Sequence, residues 1–384
     1  MRDMSSARWV ITGVALALAL AACTREAPFA PEGGVDQPAP ADAPTPASLV
    51  DPGDIISGGP PPDGIPPIDE PRFLSPDEVR FLADDEPVLA VEIEGDARAY
   101  PLQIMTWHEI VNDEVGGVPV AVTYCPLCNT GIAFERPTIE GELLDFGTSG
   151  KLYNSNLVMY DRQTETYWAQ ATGQAIVGEL AGEQLTFVPA RIVSFGDWRA
   201  EHPDGLVLSR QTGHERPYGE NPYVGYDSLD RPFLFTGELD ERLPATARVL
   251  GIVRAGDVVA FPYEAVSAQA IGGWAVVMEE VAGNPVAVFW KARTRSALDS
   301  QRIASSRDVG SIAAYRPQID GRSLAFEATP DGIVDRETGS LWSILGRATA
   351  GPLEGQQLIP ELALYSFWFD WAAFHPDTRI YGQP

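Results

Sequence analysis

Cysteine is scarce in this 384-residue chain, at Cys23, Cys125 and Cys128 only; histidine occurs four times and lysine twice, as Lys151 and Lys291. The net charge of −27 argues against a nucleic acid or an anionic surface as partner. A Walker loop, a dinucleotide fingerprint, a GxSxG elbow and paired catalytic carboxylates are all missing, which excludes the familiar nucleotide and serine-hydrolase chemistries. "HEIVN" at 108–112 stops short of a zinc-protease HExxH, because Asn112 stands where the second histidine is needed. Position 129 is Asn, so the CxxC at 125–128 lacks the histidine of a c-type haem attachment. The dearth of lysine beside abundant arginine reflects coding composition or a salty habitat rather than function.

The only long apolar run, Trp9–Ala22, is short for a membrane span and follows Arg2 and Arg8. It ends in Leu20-Ala21-Ala22-Cys23, the pattern of a bacterial lipobox. Residues 1–23 are therefore expected to be a lipoprotein signal, with Cys23 the lipidated first residue of the mature chain. The expected location is the cell envelope, lipid-anchored and extracytoplasmic, on the periplasmic or outer-membrane face, the membrane being the one partner implied. Thr24 rather than Asp after the cysteine favours outer-membrane sorting. Residues 24–71 are rich in Pro, Ala, Gly and Asp without apolar periodicity, and are expected to be a disordered tether.

Beyond the tether, five blocks recur in the same order. "VLAVEIEGDARAYP" (88–101) matches "VLGIVRAGDVVAFP" (249–262), and "GVPVAV" (117–122) matches "GNPVAV" (283–288). "DRQTETYW" (161–168) matches "DRETGSLW" (335–342), "GELAGEQL" (178–185) matches "GPLEGQQL" (351–358), and "DWRAEHPD" (197–204) matches "DWAAFHPD" (370–377). An internal duplication is read from this. It gives two related β-sheet domains, 72–210 and a degenerate 243–384, joined by a Tyr- and Pro-rich connection at 211–242. "VLAVEI", "PVAVTY", "GIAFER" and "LLDFGT" predict strands, and Gly95-Asp96 a hairpin turn. Ile104, Trp107 and Val111 predict a helix over 102–114; a second helix is expected from Ser194 as N-cap to His202-Pro203, and its counterpart near Ser366. The fold class expected is mainly β with a few helices.

The repeat also serves as an internal comparison. Features present in both copies, such as the His202/His375, Trp168/Trp342 and Trp198/Trp371 pairs, are assigned to architecture. Cys125 falls opposite Lys291 and Cys128 opposite Thr294, while "GKLYNSNLVMY" (150–160) has no counterpart. The unrepeated polar residues gather in the first copy, which marks it as the site-bearing one. "TWHEIVND", "TYCPLCNTGIAF", "SGKLYNSNLVMYDRQT" and "FWFDWAAFHPDT" together resemble the bacterial domain-of-unknown-function family numbered 3179. That resemblance spans nearly all of the chain after the tether and implies boundaries, but no mechanism.

Cys125-Pro-Leu-Cys128 lies between two predicted strands rather than ahead of a long helix, the layout of a metal knuckle and not of a thioredoxin-like active site. Two thiolates with His108, and His214 as a further candidate from the connection, form a soft set suited to one copper or zinc ion. Lys151, Tyr153, Asn154 and Asn156 are candidates for lining the pocket or orienting ligands. No nucleotide is expected. The sequence leaves three readings open. The first is an extracytoplasmic metal-binding lipoprotein. The second is a thiol–disulfide oxidoreductase with Cys125 as nucleophile and Cys128 as resolving thiol. The third is a binding or scaffold lipoprotein in which CPLC closes a structural disulfide, the outcome an oxidising compartment favours unless a metal or a reductant intervenes. Whether the protein is an enzyme stays undecided at this level.

Overall fold

A computed structural model describes residues 47–383. The chain is mainly β, 42% strand against 11% helix, the latter in four short α-helices and four single 3-10 turns. Cys23 and the lipobox lie outside the described residues, as do residues 24–46 of the expected tether. Among the described residues no helix is long and apolar enough to cross a membrane, which says nothing of strands.

The last part of the expected tether belongs to the fold. Strand Ile55–Ser57 pairs with Phe146–Tyr153. Ile68, 1% exposed, donates its N–H to the Ile110 carbonyl and accepts from Asn112 N, both at 2.9 Å. Composition suggested disorder because local burial is low; the missing surface is supplied by distant strands.

The first repeated block forms an antiparallel hairpin, Pro87–Ile93 with Asp96–Pro101, turned at Glu94 and Gly95. Both turn residues have positive φ, 50° and 84°, the two-residue geometry whose twist matches paired strands. Arg248–Arg254 and Asp257–Pro262 repeat it through Ala255 and Gly256. The two hairpins lead into short helices, α1 (Leu102–His108) and α3 (Tyr263–Ser267), while α2 (Phe195–Glu201) and α4 (Trp368–Phe374) follow the strands Ala190–Ser194 and Leu364–Phe367 that pair with the first strand of each hairpin. Ser194 caps α2 by accepting from Asp197 N, as expected. Matched tryptophans take matched roles, Trp168 donating to buried Asp161 and Trp342 to buried Asp335, each at 2.9 Å.

Two boundaries differ from expectation. The helix predicted over 102–114 ends at His108, because Glu109 takes φ 60° and the following Ile110–Val115 pairs with Val118–Cys125. Val111 is thus a strand residue whose spacing happened to match a helical face. The strand expected at 143–148 begins at Phe146 and runs on to Tyr153.

The two halves interlock in one compact unit. A single buried cluster draws on Leu89, Ile104 and Val122 from the first half and on Leu250, Phe261, Val288 and Phe367 from the second. Backbone bonds run from the second half to the first: Phe367 N donates to Cys128 O, and Arg295 N to Asp85 O, both 2.8 Å. The end of the second half is thereby laid against the cysteine turn of the first.

Candidate functional site

Strand Val118–Cys125 and strand Thr130–Glu135 pair up to Cys125↔Thr130, leaving Pro126–Asn129 as the turn between them. Asn129 closes it at φ 53°, a conformation asparagine tolerates, and its Oδ1 accepts from the Tyr124 hydroxyl at 3.1 Å. The strand–turn–strand placement expected for CPLC is what the chain adopts. Both thiols are buried and unbridged, Cys125 at 2% and Cys128 at 0% exposure.

Cys128 has three neighbours. Its Sγ donates to the Ser155 carbonyl at 3.2 Å, and Cys125 and the Asp370 carboxylate on α4 are near enough to act on its ionisation. Asp370 is held from all sides by neutral groups. Ser366 Oγ donates at 2.6 Å, Asn156 Nδ2 at 3.0 Å and Thr130 Oγ1 at 3.3 Å. Burial pushes the Asp370 carboxyl up to about 6, against the opposing pull of these donors and of Cys128. Burial likewise raises the Cys128 thiol well above its ordinary range, with the adjacent Cys125 and Asp370 adding to the rise. A carboxyl pushed up to about 6 beside a thiol that resists ionisation can accept that thiol's proton.

The connection at 211–242 roofs the site. Tyr226, 2% exposed, packs against Phe367 with ring centroids 6.3 Å apart, and burial, Cys128, Cys125 and Asp370 all push its phenol upward. Its buried hydroxyl lies by that of the equally buried Ser155, which pulls the phenol the other way, and neither has a hydrogen bond of good geometry among the described residues. Such orphaned groups are uncommon. Tyr223 lies alongside at 6.3 Å from Tyr226, and burial, then Glu109, then Cys125 raise its phenol. Glu109, whose strained backbone ends α1, is itself buried, which pushes its carboxyl up to about 8.

His108 does not join the thiols. Its Nδ1 lies 2.7 Å from the Pro66 carbonyl and its Nε2 2.6 Å from the Tyr218 hydroxyl. Since a carbonyl only accepts, Nδ1 carries the proton and Nε2 accepts from Tyr218. Burial holds the ring down at about 4, so it is neutral above that pH. His214 does approach His108, with ring centroids 5.5 Å apart, so the two expected imidazoles are neighbours, but in a cluster of their own. Among the described residues no set of three His, Cys, Asp or Glu side chains converges as for a metal ion. The expected Cys125–Cys128–His108 triad is therefore not assembled here.

Of the other candidates, Asn156 reaches the site through Asp370 and also accepts from Ala171 N at 3.1 Å. Tyr153 packs edge-on to Phe374 of α4, 5.7 Å away. Lys151 lies 5.9 Å from the Tyr167 ring, on the strand edge shared with Ser57. Asn154 takes a turn conformation at φ 53°. Asp370, Ser366, Thr130 and Tyr226 were not anticipated. The available signal for Asp370 was its place in "DWAAFHPD", discounted because both copies contain it.

Residues 62–378 match the family described as "Protein of unknown function (DUF3179)", and the chain belongs to that family. No curated protein and no solved structure matches.

Proposed function

We propose that this family member is a thiol–disulfide redox protein whose working pair is Cys125 and Cys128 and whose proton acceptor is Asp370. The observation that carries the reading is the closeness of two thiols to each other and of one to a buried carboxyl, while His108 is committed elsewhere. In the reducing direction, Cys125 as thiolate attacks a sulfur of a substrate disulfide. A mixed disulfide forms and one substrate thiolate leaves, taking up a proton. Cys128 then attacks Cys125 Sγ, giving its proton to Asp370, and the second substrate thiolate departs. The protein pair ends oxidised and the substrate disulfide reduced by two electrons; run backwards, the same steps oxidise a substrate dithiol. Access requires Tyr223 and Tyr226 to move aside, since neither sulfur is exposed. The lipobox at Cys23 supports an extracytoplasmic, membrane-anchored setting for this chemistry.

The test is a thiol count and a trapping experiment on the purified chain. Wild type is expected to interconvert between two free thiols and none with a glutathione redox buffer. Cys128→Ser is expected to accumulate a mixed disulfide at Cys125. A stoichiometric metal that Cys125→Ser abolishes would return the site to metal binding, and a disulfide inert to reductant would leave it a structural bridge.

A further inference from the structure

We infer a second site, far from the thiols in sequence and independent of the redox reading: a receptor for a small carboxylate- or phosphate-bearing anion in the second half. Hairpin ends converge there on a cleft of about 470 Å³, lined by Arg254, Asn284, Arg316, Gln318, Ser323 and Glu361 among others. That volume falls within the range of small-molecule sites. Glu361, its side chain 4% exposed, binds Arg254 Nη2 through Oε2 and Arg316 Nε through Oε1, the latter at 3.2 Å. One carboxylate thus fixes two guanidiniums and leaves an excess positive charge. Arg254 Nε and Nη1 and both Nη atoms of Arg316 have no protein acceptor among the described residues. Planar forks with spare parallel N–H groups match carboxylate and phosphate oxygens. In a chain of net charge −27, a cleft with cationic excess runs against the prevailing field.

The first half shows that the fold does not need these charges. By the repeated blocks, Ile93 stands opposite Arg254 and Val188 opposite Glu361. By strand pairing Glu135 takes the place of Arg316, and the neighbouring Arg136 turns its guanidinium to Leu144 O and Asp145. The first half therefore holds apolar residues at two of these three positions. Ion pairs to partly exposed arginines contribute little to stability, so their presence at positions that are apolar in the first half points to use.

Calorimetric titration of the full chain with inorganic phosphate, with citrate and with neutral glucose tests this. One saturable site is expected for phosphate or citrate and none for glucose; the anion preferred identifies the ligand as phosphoryl or carboxylate. Gln318→Glu, at the exposed rim, is expected to weaken binding at least tenfold without affecting the fold. The double change Arg254→Ile with Glu361→Val, copying the first half, is expected to fold and to lose binding altogether. Absence of saturable binding of either anion, or binding undiminished in the folded double variant, would overturn the assignment.

Discussion

Asp370→Asn separates a proton acceptor from a structural carboxyl, because the two roles predict opposite outcomes. The carboxyl titrates near 6 in the fold against 3.8 when free. A folded value above the unfolded one means that the contribution to stability is complete below about pH 4 and is lost as pH rises through about 6. A difference of roughly 2 units corresponds to about 3 kcal/mol lost across that window. Asparagine has the same shape and no charge, so it removes this loss, at the expense of one or two hydrogen bonds worth about 1 kcal/mol each. The variant is therefore expected to be at least as stable as wild type at pH 8 and less stable at pH 4. Removing the carboxylate also removes a like charge beside Cys128. The Asp370 charge adds to the rise of the Cys128 thiol, so the thiol is expected to titrate lower in the variant. Urea unfolding at the two pH values and the ultraviolet thiolate titration measure both effects. Exchange with glutathione is expected to slow nonetheless, since Cys128 loses its proton acceptor. A variant less stable by the same amount at both pH values, with the thiol titration unmoved, would show that Asp370 only packs.

Three further outcomes follow from the same structure. Glu109→Gln is expected to gain stability over wild type by a few kcal/mol above about pH 8, the buried carboxyl's contribution being lost as pH rises from about 4.5 to 8; chemical denaturation across that range checks it. His108 acts in the opposite sense: its folded value near 4 lies below the free 6.5, so stability is lost as pH falls from about 6.5 to 4, and His108→Gln is expected to flatten that limb of the stability profile. Ile68→Ala is expected to cost about 2–5 kcal/mol by leaving a cavity against the Ile110–Val115 strand, measured as a lower urea midpoint; an unchanged midpoint would mean that residues before 72 are dispensable.

How much of this was legible in the sequence differs by feature. The hairpins and the class were readable because alternating β-branched runs and turn glycines are local signals, and Pro87–Ile93 and Val118–Cys125 fall where the pattern put them. The end of α1 was not, since Ile104, Trp107 and Val111 satisfy a helical period while Ile110–Val115 satisfies a strand's, and pairing with Val118–Cys125 decides between them. The ordered stretch before residue 72 was invisible because its partners, Leu152 and Ile110, lie far along the chain. For the site, the knuckle itself and Asn156 were legible. His108 was singled out as a metal ligand, whereas its ring is bound by Pro66 and Tyr218, from segments taken to be tether and linker.

The repeat comparison sharpened one half of the site and hid the other. It isolated Cys125 and Cys128 because Lys291 and Thr294 replace them, and it set Asp370 aside because Asp197 repeats it. The interlocked halves show why sameness misled. The helix aspartate of each half reaches the turn region of the opposite half: Asp197 on α2 pairs with Lys291, while Asp370 on α4 meets Cys128. In the first encounter a lysine supplies the countercharge and the result is an ion pair. In the second, every bonded partner is neutral, so burial dominates and the carboxyl rises to where it exchanges protons near pH 6. An aspartate common to both copies is an ion-pair partner or an acid–base group according to what stands opposite it, and the residue that decides is in the other half of the chain.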